Sequence, residues 1–174
     1  MREADTPQIR GTRASTGRDR DAAGRARNAR PRDALGRPLP RDAAGEPPAT
    51  DQALPPALTL EEAQRLLDTG RPFHAHEVLE AAWKVAPDAD RDLWQGLAQM
   101  AVGLTHARRG NGRAAAAQLR RGVSRLDGYP DRGPHGIDVA GLRIRCAEVA
   151  RLIESSGLAS LDPAALSLRL RADS

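Results

Sequence analysis

In the stretch Phe73-His-Ala-His-Glu-Val-Leu-Glu-Ala-Ala-Trp83, His76 and Glu80 are four residues apart, the spacing that brings side chains together on one face of a helix. An imidazole and a carboxylate so placed can chelate a divalent ion, share a proton in acid–base work, or simply pair in a core. The chemistry of a metalloprotease helix is excluded, because that motif needs a second His where Glu80 stands and a general base where Glu77 points to solvent. A metal site needs more ligands, and the next helix offers His106, with Gln95 and Gln99 available to orient a ring. The expected ligands of a divalent ion are therefore His76, Glu80 and His106, supported by Gln95, Gln99 and Trp83. No nucleophile or phosphate cradle accompanies them, so whether the chain is an enzyme stays open. Cys146, on an apolar helix, reads as a small buried hydrophobe. His135 and Arg132, in Tyr-Pro-Asp-Arg-Gly-Pro-His-Gly, read as solvated residues or as the rim of a pocket.

These residues need helices to hold them, and the sequence marks five or six. Thr59 and Glu62 have capping-box spacing at the head of the first, and Gly70 closes it. Pro72 suits the first turn of a second helix that Pro87 ends. Asp88 or Asp90 caps a third, from about Arg91 to Arg109. Asn111-Gly opens a fourth, reaching about Asp127. Asp138 caps a fifth to about Ser155, and Asp162-Pro163 starts a short last one. At about 100° per residue, Ala75, Val78, Leu79, Ala82, Trp83 and Ala86 form the apolar sector of the second helix. His76 and Glu80 lie inside or at the rim of that sector, with His74, Glu77, Ala81 and Lys84 on the solvated face. From Leu93 to Ala107 the third helix has no charged residue, so it should be buried nearly all round. Its row of Gln95, Gln99 and His106, beside Gly96 and Gly103, is expected to face His76 and Glu80.

Composition bounds the rest. The 174 residues are 40% hydrophobic but only 2% aromatic, which favours an aliphatic all-α core. The reading is a compact antiparallel helical bundle over residues 57–174, preceded by a disordered tail over 1–56 that lacks any periodic apolar face. Residues 1–50 carry 11 Arg against 7 acidic residues, and the remainder is balanced at 16 against 16. The basic character belongs to the tail, so the folded part is not expected to bind nucleic acid. One cysteine, no apolar signal run and no membrane-length segment point to a cytoplasmic protein.

Three blocks, Phe-His-Ala-His-Glu-Val-Leu-Glu-Ala-Ala-Trp, Leu-Trp-Gln-Gly-Leu-Ala-Gln-Met-Ala-Val-Gly-Leu-Thr-His-Ala-Arg-Arg-Gly-Asn and Tyr-Pro-Asp-Arg-Gly-Pro-His-Gly-Ile-Asp-Val, resemble in order and spacing the prokaryotic family known as domain of unknown function 309. Its hallmark is H-x-x-x-E-x-x-W/Y, matched by His76, Glu80 and Trp83, and the resemblance covers about residues 60–145. It implies an all-helical domain and a metal role for the motif, and it implies no reaction. A second class of function stands beside this one. Successive antiparallel helices can present a surface to a protein partner or a second copy, and the His/Glu/Gln cluster is then structural. A void ringed by His76, Glu80 and His106 would favour a ligand site, and an exposed apolar groove a partner.

Overall fold

The first helix of the chain starts at a proline pair. In the computed structural model, which describes residues 30–47 and 52–172, α1 (Pro56–Asp68) takes Pro56 in its first turn, where a missing N–H costs nothing. This corrects the expected capping box. Thr59 lies inside the helix, fully buried, and its hydroxyl donates to the Leu54 carbonyl at 2.9 Å. The others begin and end close to their expected limits: α2 (Pro72–Val85), α3 (Asp88–Arg108), α4 (Gly112–Arg125) and α5 (Val139–Ser156). Asn111 and Asp138 cap α4 and α5 by accepting from Ala114 and Gly141 N–H groups. The expected last helix is a 3₁₀ turn, Pro163–Leu166, and Asp162 accepts from the Ala164 N–H there at 2.9 Å. No strand occurs among the described residues, which show only isolated bridges.

Links of two or three residues reverse the chain between α1 and α2, α2 and α3, and α3 and α4, so sequence neighbours are packing neighbours. The centre is α3, which packs on α2 and α4, while α1 covers α2 and α5 covers α4. As the charge-free run requires, Leu93, Trp94, Leu97, Met100 and Leu104 are all buried. The glycines of α3, however, serve α4 rather than α2. A Cβ on Gly96 would lie 3.1 Å from the Gly122 carbonyl oxygen, and one on Gly122 would lie 2.9 Å from that of Gly96. The two backbones meet where no side chain can stand.

Two further segments close the bundle. After α5 the chain returns to α1, burying Leu168 and Leu170. The Gln64 amide donates to the Leu168 carbonyl at 3.0 Å and accepts from the Leu170 N–H at 2.8 Å, while the Leu170 carbonyl accepts from the Asp138 N–H at 3.0 Å, so side chain and backbone together satisfy this segment. The disordered tail expected over 1–56 lies outside the described residues for 1–29 and 48–51. Residues 31–47 depart from that expectation and form a strap on the helices, in one compact unit with them. Gly36 packs on the Phe73 ring, Arg71 pairs with Glu46, and Arg109 donates to the Leu35 carbonyl. These contacts are polar and backbone-directed, which is why no hydrophobic period announces them. Among the described residues no helix is long and apolar enough to cross a membrane.

Candidate functional site

α2 carries the motif at the rim of its buried face. His76 Nε2 lies 3.5 Å from Glu80 Oε2, and Lys84, one turn on, places Nζ 3.1 Å from Glu80 Oε1. The row His76, Glu80, Lys84 thus uses both carboxylate oxygens along a single helix face, with side chains 25%, 34% and 63% exposed. Burial holds the His76 imidazole below its ordinary range, opposed by the charges of Glu80 and Glu77 and by the nearby Ala98 backbone of α3. This depression favours the neutral ring and weakens the ionic part of its link to Glu80. His76 Nδ1 and Trp83 Nε1 are both buried with no hydrogen-bond partner among the described residues.

His106 does not join them. His76 meets α3 at Ala98, and eight residues of helix separate Ala98 from His106, about 12 Å of axial rise. No hydrogen bond or ion pair links His106 to His76 or Glu80 among the described residues. The His106 imidazole is held below its ordinary range by burial and then by Arg109, a neighbour at the far end of α3. The side chains of Gln95 and Gln99 are half-buried, and Gln99 Oε1 has no partner among the described residues. No three His, Cys, Asp or Glu side chains among the described residues gather closely enough to hold a metal ion. The donors brought together, one imidazole and one carboxylate already bonded to Lys84, fall one short of the three protein ligands of a catalytic zinc site.

His74 corrects the expected solvated face, because it is only 2% exposed. α2 is packed on two sides, by α1 and by α3, so its buried arc is wider than a single stripe. His74, about 40° around the helix from Val78, falls within that arc with its ring edge-on to Phe73 at 5.6 Å. Cys146 is buried with its thiol pushed up to about 12 by burial, a protonated core residue as expected.

Residues 60–118 match the family model described as a domain of unknown function (DUF309). The DUF309 span takes in α1 from Leu60 onward, α2, α3 and the first half of α4, with His76, Glu80 and Trp83 inside it. It ends before the Tyr129–Val139 block that the resemblance had included. No curated protein and no solved structure matches the chain.

One constellation was not assembled by sequence reasoning. In the loop beyond the DUF309 span, His135 Nε2 lies 2.9 Å from Asp90 Oδ2, and its ring stacks on Trp94 at 5.7 Å and 33°. Its backbone is left-handed, at φ 60°, a conformation that costs a non-glycine residue roughly 1–2 kcal/mol. Tyr129 donates to the Ala89 carbonyl at 2.7 Å and accepts from the Leu93 N–H at 3.1 Å, tying this loop to the head of α3. The only trace in the sequence is a His between Pro and Gly, and Asp90 read there as a cap.

Proposed function

We propose that the domain is a non-catalytic binding module, and that its partner is a short apolar segment bearing a carboxylate. An open groove of about 660 Å³ between the start of α4 and the end of α5 carries this reading. Small residues make it deep: Gly112 and Ala116 face Ile153 and Leu158, and Arg113 and Ala117 stand on the rim. Arg113 is exposed and makes no ion pair among the described residues, whereas the neighbouring Arg120 is closed on Glu154 at 2.5 Å. An apolar trough with one available cation suits one face of an amphipathic helix that carries an acidic residue. On this reading the row His76, Glu80, Lys84 belongs to the scaffold, and the setting is the cytoplasm.

The apolar, sulfonate-bearing dye anilinonaphthalene sulfonate mimics such a segment. It should bind the native chain at one saturable site, and Ala117→Glu, at an exposed rim position, should abolish that binding with the melting temperature unchanged. Equal dye binding by wild type and Ala117→Glu would sink the reading. A second reading, a divalent ion on His76 and Glu80, is favoured by an imidazole that burial keeps uncharged. An ion binding only the folded chain would stabilise metal-stripped protein by about 2.7 kcal/mol at a hundredfold excess over Kd. Glu80→Gln would remove that gain. Melting curves that ignore Zn, Mn, Fe, Ni and Co would leave the motif to the scaffold.

A further inference from the structure

The strap of residues 31–47 brings to one end of the bundle a set of charges that the helices alone lack. Its turn is closed by Asp33, whose Oδ1 accepts from the Leu35 N–H at 3.0 Å and the Arg37 N–H at 2.7 Å, while Gly36 supplies the left-handed corner at φ 72°. With the turn set, two successive carbonyls face guanidinium groups. Arg109, from the end of α3, donates Nε to the Leu35 oxygen at 2.9 Å, and Nη2 bonds the same atom. Arg32 donates Nη1 to the Gly36 oxygen at 2.5 Å. The Arg32 guanidinium also lies over the Phe73 ring, 5.5 Å from its centroid, within the range of a cation–π contact.

We propose that Arg32, Arg37 and Arg109 form a binding site for a phosphate group. Fastening the strap would explain Arg109 by itself, since a cation suits the C-terminal end of a helix. It does not explain why Arg32 donates to the next carbonyl of the same turn, with Arg37 following in the chain. None of the three makes an ion pair among the described residues: Asp33 has an oxygen committed to two backbone N–H groups, and Glu46, whose N–H donates to the Arg32 carbonyl, pairs with Arg71. Burial disfavours the charged form of Arg109, Asp33 opposes it, and Arg37 and Arg32 add smaller effects on the side of burial. Guanidinium groups brought to one turn gain from a shared anion. A guanidinium fork has five N–H donors and matches phosphate oxygens two at a time, so these groups keep donors to spare after binding the carbonyls. The phosphate comes either from a small phosphorylated compound or from a nucleic-acid backbone, which share this chemistry.

The test uses the full chain and compares melting in inorganic phosphate with melting in chloride at equal ionic strength. Wild type should gain stability saturably in phosphate. Arg37→Gln should weaken phosphate binding by about tenfold, the size of one charge-assisted contact, and leave melting in chloride unchanged. Arg151→Gln, an exposed arginine of α5, should behave as wild type. A single-stranded oligonucleotide separates the sources. Binding that depends on Arg37 and has a lower salt slope in Arg37→Gln assigns the phosphate to a polymer backbone, and binding of inorganic phosphate alone assigns it to a small compound. No saturable difference between phosphate and chloride, or the same response in Arg37→Gln and Arg151→Gln, would overturn the proposal.

Discussion

Among the described residues two histidines pair with an acid, and the pairs are built in opposite ways. His76 and Glu80 are four residues apart on one helix and approach to 3.5 Å. Any helix would bring them together, and they need no neighbour to do so. His135 and Asp90 are 45 residues apart and approach to 2.9 Å, across a loop whose backbone is held left-handed against the Trp94 ring. The local pair lies beside the core and has a competitor, Lys84, on its carboxylate. The long-range pair is tighter because packing forces it, and it depends on everything that places the loop against α3. A short spacing in sequence therefore marks a pair that is easy to form, while a strained backbone marks one that the fold pays to keep.

The most disruptive way to break the contrast is Trp94→Ala. It removes a ring only 2% exposed, and should cost about 3–5 kcal/mol in denaturant unfolding. Histidine ring resonances should then show His135 released to solvent while His76 keeps its native environment. Similar displacement of both rings would mean that the two pairings are coupled through α3.

At His135 itself, removal of the ring and relief of the backbone can be separated. His135→Ala loses the Asp90 bond and the stacking yet keeps the left-handed penalty, and should destabilise by about 1–2 kcal/mol. His135→Gly loses the same contacts but adopts φ 60° without strain, and should be milder by about 1 kcal/mol. Identical stabilities for the two variants would show that the loop changes its backbone once the ring is gone.

The local pair should answer to acid. Since burial depresses His76, its stabilising contribution is complete above the unfolded value, near pH 6.5. Below that the unfolded chain takes up the proton first, and stability falls as the pH drops toward the folded value, by at most about 1.4 kcal/mol per pH unit for one proton. His76→Gln should flatten this slope in urea titrations between pH 7 and 5, leaving the part due to His106, which is depressed in the same direction. An unchanged slope would assign the acid response elsewhere.

The smallest effect belongs to Glu80→Gln. With Glu80 34% and Lys84 63% exposed, this row should contribute no more than about 1 kcal/mol. Because the Glu80 charge raises the His76 value against burial, the same substitution should move the His76 titration lower still, measurable from its ring protons. A shift upward would show that Glu80 does not face the ring.

Elements that announce themselves locally were legible without the fold. Pro72, Pro87, Asn111 and Asp138 punctuate helices through backbone chemistry that acts within a turn, and the charge-free run of α3 demanded burial whatever its neighbours. The all-helical class, the order of helices and the His76–Glu80 pairing follow from such rules. Position in space does not. That Gly96 meets Gly122 rather than α2 depends on which helices share a side of α3, and sequence periodicity gives a face without naming its partner. His74 is buried because α2 is covered from two directions. His106 misses His76 because the depth at which α2 meets α3 sets the level, and no spacing within either helix contains that number. The strap, the return of Leu168 and Leu170 to Gln64, and the His135–Asp90 pair arise from contacts between residues far apart in the chain. Their energies come from carbonyls, amides and ring faces that every sequence has in plenty, so only tertiary structure decides which of them meet.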